Sequence, residues 1–333
     1  MFRINLFEEK DFQEIAQLIS DYFQLDYDRV LEELGVYSGV DYDVFDFIEK
    51  FEIDLEKLYR DDSLITCRHA LATDDNAFAF LKEKGLLNLK VMLEDETPLS
   101  TFLLEHGIKV NVEEKILELD GKKYPILDNN TGCKSCIYEE YQCKDFISNE
   151  PILRGCEYRS AMGLLHTKLY YDQCQTECFI DGFFKDIYNY NSIRNSPEIL
   201  STINDVTTFL GQKEDILKEE WGNKKNTNFY ILEFEVPMKC LENVSIKRMY
   251  DSYYEVSDII EKYGYDYEDF SENRFSKEIN SNLFVIKTLM DLSYVWRYEK
   301  YAQLKTSTVI KGESIRVIRK HDVKTSSIEE QNR

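Results

Sequence analysis

The segment Thr66-Cys-Arg-His-Ala-Leu-Ala-Thr-Asp-Asp-Asn-Ala-Phe-Ala-Phe-Leu-Lys-Glu-Lys-Gly-Leu-Leu87 constrains the fold of this chain more than any other stretch. It reads as a short strand carrying Arg68 and His69, a turn through Thr73, Asp74 and Asp75, and a helix that stops at Gly85. The turn residues have short oxygen-bearing side chains, which accept from the first free amides of a helix. Ala77, Phe78, Phe80 and Leu81 give that helix an apolar face. Gly85 follows the last helical position, where a C-cap calls for a backbone conformation that glycine adopts freely.

The rest of the chain must supply partners for such a unit, and its composition allows it. The 333 residues are 43% hydrophobic and 14% aromatic, which places the chain among globular proteins with room for two or three domains. Apolar runs stay shorter than the ~20 residues of a membrane span. The opening Met-Phe-Arg-Ile-Asn-Leu-Phe-Glu-Glu-Lys holds no apolar signal core, so a cytoplasmic protein without membrane contact is expected. Acidic residues outnumber basic ones by 63 to 41, for a formal charge of −22. That balance argues against a broad duplex-DNA surface, which needs clustered Lys and Arg. It leaves room for a local basic cleft.

Residues 1–62 read as a small acidic helical domain. Phe12, Ile15, Ala16, Ile19 and Tyr22 recur at helical spacing, and Val44, Phe47, Ile48 and Phe51 mark a second helix. Residues 63–320 read as one α+β domain with a mostly antiparallel sheet. Its signals are Asp120-Gly121 between two apolar runs, which marks a hairpin, the strand Phe229–Val236, and a strand pair at 307–310 and 314–319 around Gly312. Pro98 and Pro197 each open a helix, and further helices are expected near 246–262 and 276–292. A Cys-rich insertion spans 127–180, and residues 321–333 read as a flexible tail. His106 and His321 are isolated and read as structural or exposed.

Two elements together resemble the ADP-ribosyltransferase superfamily. The first is His69, Thr73 and Asn76, followed by Phe80-Leu81 and Gly85-Leu86. The second is Val295-Trp-Arg-Tyr-Glu-Lys-Tyr301 ahead of the last strands. The resemblance implies a split antiparallel sheet that binds NAD without a dinucleotide-binding glycine motif. It implies that Glu299 is the late carboxylate beside the ribose 2′-hydroxyl, where positive charge develops as nicotinamide leaves. His69 or Arg68 would clamp the NAD ribose, Thr73 would fix the His ring, and Tyr170 or Tyr171 would stack on nicotinamide. Alternation along a strand sends Arg68 and His69 to opposite faces, so only one of them lines a cleft. Glu233 and Glu235 are the next candidates for the carboxylate. Residues 1–62 resemble acyl-carrier-related helical domains through the acidic helices and Phe51-Glu-Ile-Asp54. The nearest serine, Ser38, lacks the flanking Asp and Leu of a carrier, and a helical docking domain is the reading kept.

Six of the eight cysteines fall between 133 and 178. Cys133-Lys-Ser-Cys136 is a two-thiol knuckle, and Cys143 and Cys156 follow at loop distances. Four thiolates brought together by tight turns suit tetrahedral zinc. Cys174, Cys178 and His166 are alternative ligands, and Cys174 and Cys178 share one face if a helix forms there. An iron–sulfur cluster or unliganded buried thiols are the other readings. Cys67 and Cys240 lie in or beside strands and read as core. The expectation is therefore an NAD-dependent ADP-ribosyltransferase with zinc, of the kind found in bacterial toxins and phage defence. Its acceptor, protein or nucleic acid, is open, and the acidic N-terminal domain offers a protein-docking surface. The alternative is a non-catalytic, zinc-stabilised acidic interaction protein.

Overall fold

The computed structural model describes residues 2–7, 11–36, 44–55, 63–126, 157–171, 173–181, 194–241 and 300–322, with Asn282, Val285, Ile286, Leu289 and Met290. These residues form a mixed helix and antiparallel-sheet protein, the α+β class expected. Among them no helix is long and apolar enough to cross a membrane. The chain divides into two compact units that interleave in sequence. The first comprises 1–68, 177–187 and 234–305, and the second 69–176, 188–233 and 306–333. The sequence reading drew linear segments. Contacts between residues far apart in the chain group it differently, and those leave no local signal.

In the first unit, β1 (Arg3–Ile4) runs parallel to the start of β2 (Leu64–Thr73). The helices α1 (Phe12–Phe23) and α2 (Tyr27–Val36) pack together, and α3 is Val44–Lys50. Asp11 and Glu14 form a reciprocal capping box at the start of α1, which satisfies two otherwise free amides. Ile15, Ala16, Ile19, Tyr22 and Phe23 are buried, as the helical spacing predicts. Residues 37–43, with Ser38, lie outside the described residues. The first half of β2 is flanked by β6 (Thr176–Asp181), antiparallel with Arg68 opposite Phe179. Beyond β6 comes β8 (Lys300–Leu304), and the end of β7 (Asn228–Pro237) lies on the other side of β2. Asn282, Val285, Ile286, Leu289 and Met290 are buried helical positions within the expected helix near 276–292. The helix expected near 246–262 lies outside the described residues.

In the second unit, β2 ends and runs directly into α4 (Asp75–Lys84). Thr73 belongs to the strand, not to the turn expected of it, and Asp74 alone makes the cap by accepting from the Ala77 amide at 2.8 Å. Gly85 closes the helix at φ 91°, and a Cβ there would meet the Ile310 carbonyl oxygen at 2.3 Å. Glycine is required at this point both for the backbone angle and for the close approach. Next come α5 (Leu89–Glu94), α6 (Pro98–Glu105) and a separate sheet of β3 (Ile108–Asn111), β4 (Ile116–Leu119) and β5 (Lys122–Pro125). The hairpin turn falls at Asp120 (φ 50°) and Gly121 (φ 79°), two positive angles that match a type I′ turn.

The helix α7 (Glu157–His166) continues as a π-helical turn, Thr167–Tyr171, and α8 (Glu198–Phe209) and α9 (Ile216–Asn223) follow. One apolar cluster joins these helices to the small sheet, with Leu93, Phe102, Leu117, Met162, Leu200 and Trp221 at its heart. The first half of β7 pairs antiparallel with β9 (Arg316–Asp322), with a bulge between Ile231 and Leu232. The strand expected at 307–310 is not one. Ile310 makes a single bridge to Leu86, and Gly312–Ser314 is a 3-10 turn. Lys82 donates to the carbonyls of Gly312 (2.7 Å) and Ile315 (2.9 Å), which holds that segment as a turn rather than a strand.

Candidate functional site

The candidate site centres on β2 and the turn after it. Eight of ten residues from Leu64 to Thr73 would suit a buried strand, and the two that break the run are Arg68 and His69. Both are half-buried and adjacent, so strand alternation gives them opposite faces. In the first unit the Arg68 guanidinium lies 3.9 Å from the Phe7 ring centroid, a cation–π contact that engages this side chain. Cys67, buried before it, shares a hydrogen bond with Cys178 on β6. That bond, followed by burial, pushes the Cys67 thiol well above its usual range, so it stays protonated. Cys178 also donates to the Ala302 carbonyl at 3.5 Å.

His69 starts the second unit. Thr73 follows it on the same face after four residues, about 13 Å along an extended strand. That separation is too long for a direct hydrogen bond, and Thr73 is buried, so the expected role of Thr73 in fixing the His ring is corrected. The turn after Thr73 is held from several sides. The Trp221 indole donates to the Ala72 carbonyl at 3.0 Å. Lys224 sits 3.5 Å from the Asp74 carboxylate and 4.1 Å from the Trp221 ring centroid. Asn226 donates to Asp75 at 2.7 Å, and Phe78 stacks on Tyr230 at 4.3 Å. The strand-to-helix corner is thus clamped by aromatic and charged partners from residues 221–230. The sequence reading missed Trp221 and Lys224. The available signal was the scarcity of Trp, two in the chain, since a Trp inside an amphipathic helix is usually buried and its N–H needs an acceptor.

Tyr170 is held by several contacts. Its hydroxyl donates to the Val112 carbonyl at 2.8 Å, its ring lies 4.8 Å from His166, and Lys115 Nζ is 4.7 Å from its centroid. Burial pushes its pKa up to about 12. The ring is half-buried, with Lys115 beside it. The side chain of Tyr171 lies outside the described residues, as do Glu299 and the cysteines 133, 136, 143 and 156. Cys174 and Cys178 do not share a helix. Cys174 lies in a turn at φ 56° and donates to the Leu169 carbonyl at 3.2 Å, while Cys178 is in β6. Among the described residues no group of three or more His, Cys, Asp or Glu side chains is placed to hold a metal. Cys67 is core, as expected, and Cys240 is half-buried after β7.

The remaining candidates separate by environment. Glu233 is buried and ion-paired with Arg316, whereas Glu235 is exposed and lies 3.5 Å from Arg3 Nε. His106 caps α6, with Nδ1 2.8 Å from the Phe102 carbonyl and Nε2 2.9 Å from Glu220, a structural role. No protein-family model, curated protein or solved structure matches the chain.

Proposed function

We propose that the protein transfers ADP-ribose from NAD to an acceptor. The observation that carries this reading is the half-buried Arg68–His69 pair on a long, mostly buried strand that feeds a tightly capped helix. His69 is the preferred clamp on the NAD ribose, the role that the family resemblance gives to a first-strand His. Glu299 supplies the carboxylate. As the bond from the anomeric carbon to nicotinamide breaks, positive charge builds at that carbon, and a fixed negative charge beside it stabilises the transition state more than the ground state. The acceptor nucleophile then forms the new bond to the anomeric carbon and releases a proton. A structural zinc on Cys133, Cys136, Cys143 and Cys156 belongs to the same proposal. Its role is to fold a loop rather than to react. A toxin or phage-defence role follows only from the family resemblance.

The test is incubation with labelled NAD, reading nicotinamide release and label transfer to protein and to nucleic acid. Glu299→Gln should lower turnover about a hundredfold or more, since loss of such a group costs about 3 kcal/mol. NAD binding should be retained. His69→Ala should weaken NAD binding as well as rate, because its contact exists in the ground state. Full activity in Glu299→Gln would shift the role to the exposed Glu235 or the buried Glu233. No nicotinamide release from the wild-type protein would sink the enzyme reading in favour of a non-catalytic interaction protein. Elemental analysis of protein purified without chelators should find about one zinc per chain.

A further inference from the structure

We draw no further inference here: the strongest candidate, the side-chain cluster formed by the thiols of Cys67 on β2 and Cys178 on β6, is sealed from solvent with both thiols engaged in hydrogen bonds, and among the described residues no third ligand stands beside the pair to make a site.

Discussion

The two compact units each bury an apolar core with polar groups inside it, and one site in each shows a different dependence. The second holds one large aliphatic and aromatic cluster, and its key polar atoms are answered close by: Asn204 accepts from the Leu217 amide, and Trp221 donates to Ala72. It also buries polar groups, Thr207, Thr227 and the ion-paired Glu233 among them, and the first likewise buries polar groups within an apolar core. Glu33, Asn282 and Gln303 are each at most 4% exposed, and the thiols of Cys67 and Cys178 are buried in the same unit. Glu33 is ion-paired with Lys50, Asn282 donates to the Leu55 carbonyl, and Gln303 donates to Glu177 at 3.0 Å. An aliphatic interior depends on filled volume, whereas a polar interior depends on each group keeping its partner. The comparison predicts that Trp221 in the second unit responds most to lost volume and Glu33 in the first to a lost partner.

The largest effect is expected at Trp221. It is 2% exposed, meets Phe102 edge-on at 5.1 Å and bridges to the end of β2. Trp221→Ala should cost about 4 kcal/mol, through a cavity and an unanswered Ala72 carbonyl. Urea unfolding followed by circular dichroism measures it. A cost below about 1 kcal/mol would mean that the cluster collapses around the hole, and the contrast between the units would weaken. A smaller effect is expected at Lys50. Lys50→Met strands a buried carboxylate and should cost about 2 kcal/mol, below the loss for a fully buried pair because the Lys50 side chain is 52% exposed. Adding Glu33→Leu should return most of that loss, since an apolar pair removes the uncompensated charge. If the double variant is as unstable as the single one, volume rather than partnering governs the Glu33 site as well.

Much of the local structure was legible in the sequence because its causes are local. The period of Ile15, Ala16, Ile19 and Tyr22 fixes α1, and Asp120-Gly121 fixes the hairpin. Pro98 opens α6, and Gly85 ends α4. What was missed rests on long-range pairing. β1 is two residues long and exists through its parallel register with Leu64 and Ile65. Nothing in Arg3-Ile4 alone announces a strand. The β propensity of Thr308, Val309 and Ile310 suggested another one, but the docking of Gly312 against α4 sets that segment as a turn. At the site, Arg68 and His69 were legible because two basic residues interrupt an apolar run. The partners that hold the corner, Trp221 and Lys224, lie about 150 residues away and are brought there by the fold. The separation of Thr73 from His69 could be read only once both were known to share one strand.

The smallest expected effect is alkaline, and it belongs to the second unit. Burial pushes the Cys174 thiol up to about 11 and the Tyr170 hydroxyl up to about 12. Both are acids whose neutral form the fold favours. Once the pH passes the ordinary value of each group, the unfolded chain has released the proton and the folded chain has not. The unfolded state then binds fewer protons, so stability falls as pH rises. The contribution is complete below about pH 9 and is lost in two overlapping steps, through about 11 for Cys174 and about 12 for Tyr170. Tyr170 is only half-buried, so its share is reduced by solvent screening. The Cys174→Ala/Tyr170→Phe variant removes both titrations and keeps most of the packing. Urea midpoints measured from pH 8 to 11 should fall less steeply for this variant than for the wild type. Parallel slopes would assign the alkaline loss to other groups, and the polar interior of the first unit, where the Cys67 thiol is also raised, would be the next place to look.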